Sequence, residues 1–264
     1  MQKVSVITIS YNCESEIEPT LKSVIAQDYI AIEFVVIDGA SKDTTFDIIS
    51  RYKNNIDVLV SEADKGIYDA MNKGVQKASG DWVIFMNAGD TFYNEKAISS
   101  IMNKADKDTQ LLYGDHEVVY DHLTKIKSGI PAENLWKGMI CSHQALFVKR
   151  NLLLSHPFEW KNWKISADFH FIFNRWQEGC KFQHVPVFIA KFAAGGLSEV
   201  SSVPSKIETW SIVKEKINTK EVDNYYSKLI RYEKLVNIPR NLLGAKSFEL
   251  LMKLKNKMTG KNLK

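Results

Sequence analysis

The stretch "WVIFMNAGDTF", residues 82–92, decides how the chain is read. Trp82 to Met86 is a short apolar run, as expected of a strand buried on both faces. It leads directly into Asn87-Ala88-Gly89-Asp90, so a carboxylate stands just past a strand's C-terminal end. In parallel α/β sheets, ligands collect at that edge. Asp90 is then either a ligand-holding carboxylate or a residue that shapes a turn.

Working outward, "VSVITIS" (4–10), "IEFVVID" (32–38) and "IDVLV" (56–60) read as further strands. Ile17, Leu21, Val24 and Ile25 form one helical stripe. Ile67, Ala70, Met71, Gly74, Val75 and Ala78 form another, and a helix over 43–53 takes Asp43 as its N-cap. Strand and helix alternating over short connections imply a parallel sheet with right-handed crossovers. Ser10-Tyr11-Asn12, Asp38 and Asp90 then share one edge. Beyond residue 95 come a helix (95–104), strands in "LLYGDHEVVY", "KIKSGI" and "QALFVKR", a helix (166–179) and a strand (182–192). A Gly195-Gly196-Leu197-Ser198 loop follows, and 205–264 is Lys-rich and helical, with a break at Pro239.

Of the 264 residues, 45% are hydrophobic, which supports a sizeable core. Cys13, Cys141 and Cys180 form no C-x-x-C pair, so neither zinc nor a disulfide framework is expected, and a reducing cytoplasm is the simplest setting. The N-terminus carries no signal-peptide pattern, and no apolar run approaches the ~20 residues of a membrane span. The net charge of +4 divides into −4 for residues 1–200 and +8 for 201–264. A basic tail suits an anionic membrane surface; a solvated helical face is the alternative. "SFELLMKLKNKM" (247–258) has the pattern of a basic amphipathic helix. With the basic charge confined to the tail, nucleic acid is not an expected partner. The turn after the first strand, "SYNCESE", has no glycine, and no Walker-type loop is present, which argues against NAD-binding and P-loop classes.

The segments "VSVITISYN", "VVIDGASKDTT", "SEADKGIYDAMNKGVQKASGDWVIFMNAGD", "SHQALFVKR", "SADFHFIFNRW" and "GGLS" occur in that order. Together they resemble a bacterial family 2 glycosyltransferase of the GT-A fold, of the kind that builds O-antigen, capsule or exopolysaccharide units. The resemblance covers residues 1–200. It implies an α/β fold with a Rossmann-like, mostly parallel sheet flanked by helices. Residues 1–94 would form the nucleotide-binding half, 95–200 the acceptor half, and 201–264 a helical C-terminal extension.

The resemblance also implies roles. Thr8, Tyr11 and Asn12 would line the nucleotide base, with Tyr11 stacking on it. Asp38 would accept from the base imide, favouring uracil; capping the local turn is its other reading. Lys65 would face the phosphates, or solvent. Asn87 would reach the ribose. Asp90 would hold a manganese or magnesium ion, since one carboxylate suffices when a diphosphate and water complete six positions. Asp168, at a helix start, would be the base that takes the acceptor proton in an inverting displacement, with helix capping as the alternative. Asp115 is a rival base and Glu159 a weaker one. His143, Gln144 and Trp163 would stand near the acceptor, and Gly195, Gly196 and Ser198 in a lid. The implied donor is a UDP-sugar. The implied acceptor is a polyprenyl-diphosphate-linked saccharide, which fits a cytoplasmic protein touching the inner face of the membrane. A non-catalytic nucleotide-sugar-binding module and a nucleotidyltransferase are the competing classes.

Overall fold

Four strands, β1 (Val4–Ser10), β2 (Ile32–Asp38), β3 (Val58–Ser61) and β4 (Trp82–Phe85), run parallel in the order β3-β2-β1-β4. This computed structural model describes residues 1–120, 123–194 and 202–235. The chain divides into two compact units, Met1–Val200 and Ser201–Lys264. In the first, the connecting helices are α1 (Ile17–Ile25), α2 (Thr45–Arg51) and α3 (Ile67–Lys77). β1 and β2 are buried nearly throughout, as strands covered on both faces must be. Their register sets Ser10 beside Asp38 at the C-terminal edge.

The sheet continues with strands of both senses. They are β5 (Asp90–Phe92), β6 (Leu111–Tyr120), β7 (Leu123–Lys127), β8 (Leu146–Lys149) and β9 (Phe182–Ala193). β8 inserts antiparallel between β4 and β6; β9 lies parallel to β6 and β5 antiparallel to β9, while β7 forms a hairpin with β6. Six of the nine strands among the described residues thus point the same way, matching the expected mostly parallel sheet. Helices α4 (Ala97–Met102), α5 (Arg150–Ser155) and α6 (Ala167–Gln177) complete the unit.

The core joins both parts of the sheet. Val6, Leu21, Val36, Trp82 and Ile84 pack in one cluster with Ile98, Phe147 and Ile189. Each such side chain contributes about 1.5–3 kcal/mol by leaving water. On the other face, α3 presses on β1 at Gly74, where a Cβ would come within 2.5 Å of Ile7 Cγ2.

Three local readings change. Asp43 does not cap α2 from the N-cap position, which Thr44 occupies; its Oδ1 instead accepts from Thr45 N at 3.0 Å. Ile25 and Ile67 are exposed rather than core, and Tyr68 turns inward in the first turn of α3. Asp90, weighed as a residue that shapes a turn, instead begins an edge strand, Asp90 to Phe92.

In the second unit, α7 (Ser202–Lys216) is followed by helical residues 220–235. Asp223 accepts from Trp210 Nε1 at 3.1 Å and pairs with Lys214 at 3.0 Å, and Trp210 stacks on Tyr226. The amphipathic helix expected at 247–258 lies outside the described residues. No helix among those described is long and apolar enough to cross a membrane.

Candidate active site

The site begins where β1, β2 and β3 end. Asp38 is fully buried. Its Oδ1 accepts from Ser10 Oγ at 3.2 Å and Ser41 Oγ at 2.5 Å; its Oδ2 accepts from Ser41 N at 3.0 Å and Ser61 Oγ at 2.6 Å. Three hydroxyls and one N–H thus satisfy the carboxylate, and a base imide reaches it only by displacing a serine. Asn12 and Ala40 have left-handed φ of 47° and 58°. For Ala40 this costs roughly 1 kcal/mol or more. The surrounding bonds hold the two loops in place: Asn12 N donates to Ser41 Oγ at 3.0 Å, and Lys42 N to Asn12 Oδ1 at 2.8 Å. A Cβ at Gly39 would meet Asp64 Oδ2 at 2.5 Å and Tyr11 Cδ2 at 3.2 Å. Tyr11, Asp64 and the Asp38 turn therefore converge, with the Tyr11 ring exposed. Thr8 is buried behind them and donates to Met86 O at 2.8 Å, tying β1 to the end of β4.

The second group is the turn Asn87–Asp90. Gly89 takes φ 92°, a conformation open to glycine. Its N–H donates to Thr20 Oγ1 at 3.0 Å, and that hydroxyl donates to Asp90 O at 2.7 Å, so α1 fixes the turn. Gln144 Nε2 donates to Asp90 Oδ2 at 2.9 Å. Burial pushes the Asp90 carboxyl up, while His143 and the Gln144 hydrogen bond pull it down. Asn87 Nδ2 lies 3.2 Å from His143 Nε2. Asn87 Oδ1 is buried with no partner. A carboxylate and an orphaned amide oxygen on one turn are the hard oxygen donors that magnesium or manganese takes. Among the described residues no group of three or more His, Cys, Asp or Glu could hold an ion. The residues fit a cation only if substrate oxygens complete its shell.

The third group is Asp168, in the first turn of α6, where helix N–H groups favour a carboxylate. Its Oδ1 accepts from Phe169 N at 2.9 Å and from the Tyr68 hydroxyl at 2.9 Å. Tyr68 also lies 2.6 Å from Ile165 O, so α3 holds the segment leading into α6. His143 Nδ1 faces Asp168 Oδ2 at 3.7 Å. The short 3-10 turn His143–Ala145 thus touches Asp90 with one side chain and Asp168 with its neighbour.

The model of glycosyl transferase family 2 matches residues 5–175, well over half of the chain. The chain belongs to this family. A PGL/p-HBAD biosynthesis glycosyltransferase of Mycobacterium bovis (strain BCG / Pasteur 1173P2) is 31% identical over 156 residues, 56% of this chain and 59% of the relative. The Escherichia coli UDP-Glc:alpha-D-GlcNAc-diphosphoundecaprenol beta-1,3-glucosyltransferase WfgD is 28% identical over 158 residues, 59% of this chain and 62% of that protein. The chain therefore spans about three fifths of the length of these relatives. Among solved structures, the mannosyltransferase PcManGT from Pyrobaculum calidifontis, in complex with GDP-Man and Mn2+, aligns with a TM-score of 0.64. At 19% identity, with 88% of this chain and 69% of that one covered, it establishes the shared GT-A fold.

The other residues singled out in this family 2 chain are distributed as follows. Asp115 on β6 accepts from Gly129 N at 2.9 Å and pairs with His184 at 2.8 Å. His116, beside it, is pushed down to about 4, by burial first and by Lys127 and His143, against the pull of Asp115. Cys141 is buried near Asp168, and its thiol is pushed up by burial and by that carboxylate. Trp163 is half-buried with its ring 5.6 Å from His170, and the Lys65 ammonium stands over Trp160. Glu159 is exposed and accepts from Asn162 Nδ2. Gly195, Gly196 and Ser198 lie outside the described residues. Two contributors escaped the sequence reading. Tyr68 sits one place off the apolar stripe of α3. Glu16, before α1, brings its Oε2 to 3.4 Å from a Cβ placed at Gly89 and acts electrostatically on Asp90.

Proposed function

We propose that this chain transfers a sugar from a UDP-sugar to a hydroxyl of a saccharide carried on a polyprenyl diphosphate, inverting the anomeric centre. The observation that carries this reading is the His143–Ala145 turn, which joins Asp90 and Asp168 into one site. It links the Asp90 turn and the Asp168 carboxylate, the two groups that a single displacement would use. The donor and acceptor classes are supported by WfgD, whose name gives UDP-Glc and a diphosphoundecaprenol acceptor.

In this mechanism Tyr11 offers its exposed ring to the base, beside the Asp38 turn. Asp90 and Asn87 Oδ1 would hold a divalent cation, which neutralises the charge developing on the departing nucleoside diphosphate. Asp168 Oδ1 is engaged by Tyr68 and the Phe169 N–H, so Oδ2, which faces His143 Nδ1 at 3.7 Å, would take the proton from the attacking hydroxyl. One base and no covalent intermediate are needed for displacement with inversion. The basic tail, net +8 over residues 201–264, would bring the enzyme to an anionic inner-membrane surface where such acceptors reside.

The test is Asp168→Asn. The variant should retain a manganese-dependent thermal shift with UDP and release no UDP from UDP-sugar when acceptor is added. Normal turnover would place the base elsewhere. A panel of UDP- and GDP-sugars decides the nucleotide, and no shift with any of them would favour a different activity.

A further inference from the structure

Trp160 stands among three lysines. The ammonium groups of Lys65, Lys161 and Lys164 lie 5.9, 5.7 and 5.4 Å from the centre of its ring. One such contact is an ordinary cation–π pair. Three like charges around one indole raise the local potential and call for an anion. Lys65 and Lys161 have no ion-pair partner among the described residues, and the nearby Glu159 carboxylate is turned to Asn162 instead.

The backbone under this cluster is held on every side. Asn72 of α3 brackets Phe158, donating to its carbonyl at 3.0 Å and accepting from its N–H at 2.9 Å. The Asn162 and Trp163 N–H groups close onto Glu159 O at 3.1 and 3.0 Å. Tyr68 holds Ile165 O, and Lys65 N donates to Asp69 Oδ2 at 3.0 Å. The lysines therefore stand on fixed supports, Lys65 just before α3 and Lys161 and Lys164 on the segment that runs into Asp168.

We propose that Lys65, Lys161 and Lys164, gathered around Trp160, bind a diphosphate carried by the acceptor. Lysine suits this ligand as a mobile point charge, and the cluster carries enough positive charge to offset the two negative charges of a doubly substituted diphosphate. The indole supplies an apolar wall for whatever adjoins the phosphates. The assignment to the acceptor rests on the reading of Asp168 as the acceptor-side base. The diphosphate chemistry rests on the lysines alone.

The experiment titrates inorganic pyrophosphate into the full chain, with and without saturating UDP, following tryptophan fluorescence and calorimetric heat. The wild type should bind pyrophosphate even when saturated with UDP. Lys161→Gln/Lys164→Gln should weaken that binding at least tenfold while the affinity for UDP moves less than twofold. Equal pyrophosphate binding by the double variant would overturn the proposal. Full competition by UDP would also overturn it, by assigning the lysines to the donor diphosphate. A variant that loses only co-sedimentation with phosphatidylglycerol vesicles would assign them to lipid headgroups instead. Failure of UDP itself to bind would count against the donor reading, and the comparison of pyrophosphate affinities would still decide the cluster.

Discussion

Tyr68 and Asp168 meet at 2.9 Å, hydroxyl to carboxylate, across a hundred residues of sequence. The same hydroxyl lies 2.6 Å from the Ile165 carbonyl, so its single proton is shared between the carboxylate and the segment before it. Tyr68→Phe keeps the ring against Phe158 and removes only the hydroxyl. We expect kcat to fall about tenfold, the donor KM to stay unchanged, and stability to drop by about 1 kcal/mol. Steady-state kinetics and urea unfolding check both; an unchanged kcat would reduce Tyr68 to packing.

Asp90 is the one carboxylate on its turn, so cation and donor should bind together. The wild type is expected to hold manganese weakly alone and at least tenfold more tightly with UDP. Asp90→Asn should remove the manganese dependence of UDP binding and leave the manganese-free affinity as it was. Paramagnetic measurement of free manganese reads this directly. Tight binding by the free protein would point to a further ligand, with Glu16 the nearest acid to the turn.

At the opposite end of the sheet, Glu33 sits in a different environment. Burial alone would raise its carboxyl. Hydrogen bonds from Ser5 Oγ (2.5 Å), Ser79 N (2.7 Å), Ser79 Oγ (2.5 Å) and Lys3 Nζ (3.0 Å) outweigh this and bring it to about 2. The folded value lies below the unfolded one, so the stabilisation is complete above about pH 4.5 and fades as pH falls toward 2. It is worth about 3 kcal/mol. Glu33→Gln should lose that amount at pH 7 and flatten the acid limb of a stability–pH curve from urea unfolding.

Gly114 lies at the irregularity in the β6–β9 pairing. A Cβ there would come within 2.5 Å of Val187 O and of Ile189 Cγ1. The backbone oxygen cannot swing aside as a side chain can. Gly114→Ala should therefore cost about 2 kcal/mol or more, read as a lower unfolding temperature.

The parallel part of the sheet was legible because it uses the plainest code: apolar runs, helical stripes and short crossovers. β1 and β2 emerge from the sequence at their observed bounds. β5 did not, since three residues carry no period, and its partner β9 lies far along the chain. Asp38, Asp90 and Asp168 were visible as acids at strand ends or a helix start. Their partners were visible only in part. Ser41 lies three residues from Asp38, and His143 and Gln144 were singled out, but Ser10 and Ser61 reach Asp38 from separate segments that no local pattern links. Tyr68 was missed because the first turn of α3 packs on two neighbours, and a single-stripe rule describes one.

The interleaving of the sheet has a consequence for cooperativity. β4, from the nucleotide side, pairs with β8, and β5, directly after it, pairs with β9. Residues 1–94 alone would leave the β4 edge without its antiparallel neighbour and the inner face of Trp82 and Ile84 without Phe147 and Ile189. The expected division into nucleotide-binding and acceptor halves near residue 94 does not coincide with a folding boundary. Met1–Val200 should melt in one transition, and no fragment ending near residue 94 should fold by itself.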